Sequence, residues 1–397
     1  MKVALVSSDN SSIVHHGGKH VYQSLLEKFL LRSNIDVRTF YPGSSHYQIT
    51  MLRGLKLAFK YGLLRFWDPF ERSRVKIADL RSYFRKLDLK DEDIVHCQDV
   101  VSASSVKCSN KVVLTVHGYF AYESLARNFV GKESDKEIAI RRLLEIEEEA
   151  FRKSSHIICV DKERRNYVVE KFKIPSDRTT VLHNAVDTEN FSPVTDEQKR
   201  TIRNELGLPE DKTMVLIASR FSPEKGIVYA VKAASMMRHN SDIFFIFAGG
   251  GPERKSIESV AEGQENIMIL DSIPHDQLSA FFRATDIVLV PSITYNNVRE
   301  GTSMTLLEGM ACGKIVVASC VGGMAEVIED EYNGFLIEEG SGEAIRDKLA
   351  ELSNRISDYS VVGKRAHKTV LEKHSFATYV DRLIGIYNSC LMQTSNS

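Results

Sequence analysis

Asp286-Ile287-Val288-Leu289-Val290-Pro291-Ser292 is a short apolar run closed by proline and serine. Such a run reads as a strand buried on both faces, as a parallel sheet covered by helices requires. After a polar loop, Arg299-Glu300-Gly301-Thr302-Ser303-Met304-Thr305-Leu306-Leu307-Glu308 follows, and its sequence turns helix-compatible near Thr302. Strand, loop and helix make one step of an alternation that recurs along the chain. In the first half, strands are expected at Val3–Ser7, Ile35–Phe40, Ile94–Cys97, Val112–Val116, Ile157–Val160 and Thr180–Leu182. In the second half they are expected at Met214–Ala218, Ile243–Ala248, Ile267–Leu270, Ile287–Val290, Ile315–Ala318 and Phe335–Ile337. The fold class is therefore α/β, with doubly wound parallel sheets.

The alternation breaks once, at the polar stretch Thr188–Pro209, and begins afresh at Met214. A chain of 397 residues is in any case long for one core. Two domains are expected: residues 1–190, and residues 200–375. A tail helix is expected at about 377–397, which its pattern alone does not place. With 43% hydrophobic and 26% charged residues, the composition is that of a globular protein. A net charge of −1 gives no reason to expect nucleic acid. The N-terminus turns polar too early for a signal peptide, and no apolar run approaches the roughly 18 residues a membrane span needs. Cysteines at 97, 108, 159, 312, 320 and 390 form no C-x-x-C pair. They read as small buried hydrophobes in a reducing, cytoplasmic compartment.

Residues 51–90 stand apart. Basic residues there outnumber acidic ones eleven to four, with Leu52, Leu55, Phe59, Leu63, Phe66 and Trp67 interleaved. Such a segment fits peripheral contact with an anionic membrane surface, or a surface helix whose apolar side packs on the sheet.

In doubly wound sheets ligands bind at the C-terminal ends of strands, so the motifs there carry most weight. Glu300 precedes the expected helix and Glu308 lies inside it, which puts their carboxylates roughly 12 Å apart at the helical rise. Between them, the amides of Gly301, Thr302, Ser303 and Met304 lie at or before the positive end of the helix, where an anion binds. Arg220 follows the strand Met214–Ala218, and Lys225 lies just before a helix expected near Gly226. Two such cations suit a diphosphate. Hydroxyls at both ends and a diphosphate between them is the layout of a nucleotide diphosphate sugar.

The glutamates, separated by seven residues, resemble the E-x7-E signature of family 4 retaining glycosyltransferases. Arg220 and Lys225 match that family's Arg/Lys pair, Gly17 and Gly18 its N-terminal glycine loop, and His117 its active-site histidine. His183-Asn184-Ala185-Val186-Asp187 resembles its Asn-Gly-Val-Asp turn, and Gly322-Gly323-Met324-Ala325-Glu326 its Gly-Gly-x-x-Glu element. The family usually has Phe-Gly-Leu in place of Thr302-Ser303-Met304, and Pro in place of Lys314. The resemblance implies a GT-B architecture of two Rossmann-like domains with a cleft between them, the tail helix packing back on the first domain. It also implies sugar transfer with retention from a nucleotide donor, most often a UDP sugar. It makes Arg220 and Lys225 the diphosphate clamp, Glu308 the ribose acceptor, Glu300 the contact to the donor sugar, and His117 a group beside that sugar. Gly250, in Gly249-Gly250-Gly251, would border the nucleotide, and His96 and Asp99 would line the acceptor side. The acceptor is a sugar, lipid or small molecule. No cofactor and no metal are expected. Asp91-Glu92-Asp93 has the form of a metal-binding D-x-D, but it precedes its strand, at the end where these sheets do not place ligands. Two other readings stay open: a nucleotide-sugar 2-epimerase, and a non-catalytic nucleotide-sugar-binding protein.

Overall fold

A computed structural model describes residues 1–9, 18–43, 69–128 and 133–392. Gly17, the histidines at 15 and 16, and residues 51–68 of the basic segment lie outside the described residues. The chain divides into two compact units, with the change from the first to the second at Leu182/His183 and a return to the first at Val380.

The first unit holds β1 (Lys2–Val6), β2 (Asp36–Phe40), β3 (Ile94–Cys97), β4 (Lys111–Val116), β5 (His156–Cys159) and β6 (Thr179–Val181). They form a six-stranded sheet in the order β2-β1-β3-β4-β5-β6, parallel at every pairing. Val100, Val101, Ala103 and Phe151 from the helices fill one face with Val95, Val112 and Ile157 from the strands. The described end of the basic segment, the helix Pro69–Phe84, buries Leu80 and Phe84 in this same cluster. That part packs as the apolar side of a surface helix.

The second unit holds β7 (Thr213–Ala218), β8 (Ile243–Ala248), β9 (Ile267–Leu270), β10 (Ile287–Val290), β11 (Ile315–Ser319) and β12 (Phe335–Ile337). Their order is β12-β11-β10-β7-β8-β9, again all parallel. Alternate residues of each strand feed different cores. Met214, Leu216, Val288 and Val290 join Leu306, Leu307 and Met310 of the helix Met304–Ala311 on one face. Val215, Ile217, Ile287 and Leu289 join Ile227, Ala230 and Val231 of the helix Ile227–Met236 on the other. Both faces being covered, every strand position prefers an apolar residue, and the strands read as unbroken hydrophobic runs.

Polar anchors set the entry to β10. The Asp286 carboxylate accepts from Arg203 at 2.7 Å and from the Met214 amide at 2.8 Å, and pairs with Lys199. Burial pushes this carboxyl up, but the two cations outweigh it and hold it below its ordinary value. Arg203 and Lys199 come from the helix Asp196–Glu205, which opens with a capping box of Thr195 and Gln198.

Candidate active site

In the second sheet the chain reverses direction of travel between β7 and β10. These are hydrogen-bonded neighbours, yet the chain leaves β7 for the helix on one face and β10 for the helix on the other. The strand order therefore switches between β7 and β10, and in doubly wound sheets ligands bind beyond the C-terminal strand ends at such a switch point. The loops leaving both strands carry the predicted charged residues.

The β7 loop runs through Arg220 into a short turn, Pro223–Lys225, and Gly226 at φ +63°. A Cβ on Gly226 would lie 2.0 Å from the Pro291 carbonyl of the β10 loop, so only glycine allows the two loops to meet here. The Ile293 amide donates to the Glu224 carbonyl at 3.0 Å and locks the contact. Lys225 Nζ then reaches Glu300 Oε2 at 2.5 Å, and the Ser292 hydroxyl lies 3.4 Å from the same oxygen. The backbone of Glu300 is held as firmly. Its carbonyl accepts from the Gly323 amide at 3.1 Å, and a Cβ on Gly322 (φ +57°) would stand 1.9 Å from that carbonyl. The Gly-Gly element therefore backs Glu300.

The helix begins later than expected. Ser303 is its N-cap, its hydroxyl accepting from the Leu306 amide at 3.5 Å, and the first helical residue is Met304. The first-turn amides are thus those of Met304, Thr305 and Leu306, and Gly301, Thr302 and Ser303 lie ahead of the helix. A seryl side chain at this position satisfies one of those amides itself, which the sequence pattern does not reveal. Thr305 Oγ1 donates to the Ala218 carbonyl at 2.8 Å, tying the helix to the end of β7. Asn184 Nδ2 donates to the Thr302 carbonyl at 2.8 Å, and His183 Nε2 lies 3.0 Å from Glu326 Oε2. The His183–Asp187 turn is thus a brace for this site.

Glu308 sits on the inner side of the helix, with its side chain 4% exposed. Gly309 next to it lets the helix lie close on the sheet, since a Cβ there would meet Val288 Cγ2 at 2.9 Å. Glu308 Oε1 is 2.8 Å from Nε2 of His275, the first residue of the helix His275–Ala284 that follows β9. Burial alone would lower the His275 pKa. The hydrogen bond and charge of Glu308, with Asp187 and Asp276 nearby, outweigh it and raise the imidazole above its ordinary value. Arg220 is 52% exposed at its side chain and pairs with Glu224 at 3.0 Å. Of the four charged residues singled out in the sequence, Lys225 and Glu300 touch directly; Arg220 and Glu308 each have another partner. The glycine loop 249–251 is laced to the β7 loop by the Phe221 amide, which donates to the Gly250 carbonyl at 2.8 Å. A Cβ on Gly249 or Gly251 would meet a backbone carbonyl of that loop at 1.9 or 2.3 Å, whereas one on Gly250 would meet only Ser272 Oγ at 3.5 Å.

In the first unit, His117 closes β4. Its Nε2 lies 3.1 Å from Gln98 Oε1, its ring packs edge-on to Tyr22 at 5.1 Å, and its carbonyl accepts from Arg164 Nε at 3.1 Å. Gly18 opens the helix Gly18–Arg32. His96 is a correction: it lies in the core and not on an acceptor-facing surface. It is fully buried, held by Tyr387 Oη at 2.6 Å and Thr115 Oγ1 at 2.8 Å, and burial lowers its pKa to about 3, which keeps it neutral. Asp99 caps the helix Val100–Ser105 through the Ser102 amide at 2.9 Å and accepts from the Ser8 amide at 2.7 Å, so both its oxygens hold backbone. Within the D-x-D, Glu92 pairs with Arg38 at 2.7 Å and Asp93 accepts from the Lys2 amide at 2.7 Å. Among the described residues no group of three His, Cys, Asp or Glu side chains is placed to hold a metal ion, and no helix is long and apolar enough to cross a membrane.

His275, His183 and Asn184 contact Glu308, Glu326 and the Thr302 carbonyl without having been assigned to the site from sequence. Position was the available signal for His275, five residues beyond the C-terminal end of β9.

A family model described as glycosyl transferases group 1 matches residues 198–369. A second, described as glycosyltransferase family 4, matches residues 17–190. An uncharacterized glycosyltransferase of Methanocaldococcus jannaschii is 26% identical over 306 residues, 74% of this chain and 75% of that protein. The putative glycosyltransferase EpsD of Bacillus subtilis is 25% identical over 342 residues, 82% of this chain and 84% of that one. The crystal structure of Anabaena HepE in complex with UDP-glucose superposes with a TM-score of 0.69 at 17% identity, over 98% of this chain and 100% of that one. The two family models abut across most of the sequence, each on one parallel sheet: the chain belongs to the family 4 glycosyltransferases, enzymes of the GT-B fold.

Proposed function

We propose that this glycosyltransferase moves a sugar from a nucleoside diphosphate donor, a UDP sugar by preference, to an acceptor hydroxyl, with retention and without a metal ion. The observation that carries the reading is the Lys225–Glu300 contact at the switch point of the second sheet. A cation and a carboxylate held together there match the two ends of the bond to be broken. Lys225, with Arg220, takes the negative charge that grows on the departing diphosphate. Glu300 accepts from hydroxyls of the donor sugar, and Glu308 from those of the ribose. The amides of Met304 and Thr305 and the glycine loop at Gly250 face the phosphates. The family resemblance alone assigns His117 to the donor sugar; within the first unit its carbonyl is held by Arg164. The bond from the anomeric carbon to the diphosphate oxygen breaks while the acceptor oxygen bonds to that carbon on the same face. The acceptor proton passes to the departing diphosphate oxygen, so no separate base is required. Two fixed cations supply the charge that a divalent ion would otherwise bring. The complex of HepE with UDP-glucose supports the choice of UDP.

The test is calorimetric titration with UDP, ADP and GDP, then turnover of the matching nucleotide glucose in EDTA, with the product anomer read by proton NMR. Binding of UDP ahead of the others, activity in EDTA and a retained anomer are expected. Loss of activity in EDTA restored by manganese would overturn the metal-free reading. Donor epimerised with no acceptor present would favour the epimerase. Failure of all three nucleotides to bind would remove the nucleotide site.

A further inference from the structure

The Glu308 carboxylate is buried, and among the described residues its hydrogen-bond partner is the His275 imidazole, at 2.8 Å. His275 is itself wedged. The buried Phe191 ring lies 5.1 Å from it at 50°, and Phe191 is delivered by the turn after Asp187, whose carbonyl accepts from the Phe191 amide at 2.9 Å. The charged groups facing His275 are Glu308 from the helix Met304–Ala311, Asp187 from that turn and Asp276 from its own helix. All three are acidic, so the imidazole is kept as a donor towards Glu308. A carboxylate has about four acceptor positions on two oxygens. A donor fixed on one of them decides where the others point.

We propose that His275 is the positioning residue for the ribose: by holding Glu308 Oε1 it aims the remaining acceptor positions at the 2′- and 3′-hydroxyls, and so sets the preference for ribonucleotides over 2′-deoxyribonucleotides. This rests on the reading of Glu308 as the ribose acceptor. Without His275 the carboxylate turns within its pocket, and the bidentate grip on two adjacent hydroxyls is lost. The phosphate contacts, on other residues, remain. His275 touches no reacting atom, so its loss raises KM more than it lowers kcat.

The experiment takes the nucleoside diphosphate that binds tightest among UDP, ADP and GDP, and compares it by calorimetry with its 2′-deoxy counterpart. Wild type is expected to favour the ribonucleotide by about tenfold or more, the scale of one hydrogen bond to a charged group. In His275→Ala the ratio should collapse towards one. His275→Gln should restore most of it, because the glutamine amide nitrogen reaches where Nε2 lies. A merely structural histidine would lower thermal stability in His275→Ala and leave the ratio alone, and that result overturns the proposal. So does a wild type with no ribonucleotide preference. Glu308→Ala separates the two levels: if it weakens binding while His275→Ala leaves the ratio intact, only the inference about His275 fails. If Glu308→Ala changes neither affinity nor ratio, the ribose reading of Glu308 fails first.

Discussion

Lys225 and Arg220 are both cations of the β7 loop, but they differ in what else they do. Lys225 is the partner of a part-buried carboxylate at 2.5 Å, whereas Arg220 is half exposed and pairs with its own helical-turn neighbour. Each is expected to lose about 10²–10³ in kcat on change to alanine, the scale of one lost oxyanion donor. Only Lys225→Ala should also lower the melting temperature, because it strands Glu300. Equal turnover in wild type and both variants would remove the clamp. A second residue-scale expectation concerns pH. The folded pKa of His275 is raised, above the ordinary value of about 6.5. Its contribution to stability is therefore complete below about pH 6.5 and is lost as pH rises through the folded value. Denaturant titrations from pH 5.5 to 8.5 should show that decline in wild type and less of it in Glu308→Gln. Parallel profiles would mean the pair is not coupled. The contrast between His275 and His96 shows what a single sequence conveys. Lys225 and Glu300 were legible because each sits in a spaced motif at a strand end. His96 was misplaced because the residue that covers it, Tyr387, lies 291 positions away. Of the acidic company of His275 only Asp276 is local; Asp187 and Glu308 come from distant segments and leave no trace beside it.

At the scale of elements, the strands of the second sheet were readable almost residue for residue, since burial on both faces turns them into apolar runs. The start of the helix Met304–Ala311 was not, because capping by Ser303 is a side-chain choice that an amphipathic pattern does not register. Nor did the sequence say which glycines are obligatory. Gly322 at φ +57° and Gly263 at φ +73° have similar backbones, but a Cβ on Gly322 meets the Glu300 carbonyl at 1.9 Å and one on Gly263 meets nothing within 4 Å. Both alanine variants pay the left-handed penalty of about 1–2 kcal/mol. Gly322→Ala must in addition displace the loop that carries Glu300. Its stability loss should be clearly the larger and its turnover should fall at least about tenfold, the effect of misplacing a reacting group, while Gly263→Ala keeps full activity. Matching activities in the two variants would show that the Gly-Gly element does not hold Glu300.

At the scale of the whole molecule, the C-terminal helix Phe376–Met392 poses the question of which unit it stabilises, and its amphipathic pattern alone gives no answer. From Val380 onward it belongs to the first unit. Val380, Leu383, Tyr387 and Cys390 are all buried, and burial of Val380 and Leu383 is worth about 1.5–3 kcal/mol each. Tyr387 adds the hydrogen bond to Nδ1 of the neutral, fully buried His96, which in turn bonds Thr115 on β4. The last segment of the chain is thus wired into β3 and β4 of the first sheet. Tyr387→Phe removes the hydroxyl and leaves a buried ring nitrogen unpaired, a cost of about 1–3 kcal/mol. Ending the chain after Tyr379 removes the apolar contacts as well. Hydrogen exchange read by mass spectrometry on the full-length and shortened proteins localises the effect. Peptides from β3 and β4 should lose protection in Tyr387→Phe and lose far more in the shortened chain, while peptides from β7 and β10 keep theirs. Unchanged protection in β3 and β4, or an equal loss in β7 and β10, would show that the terminal helix does not serve the first unit alone.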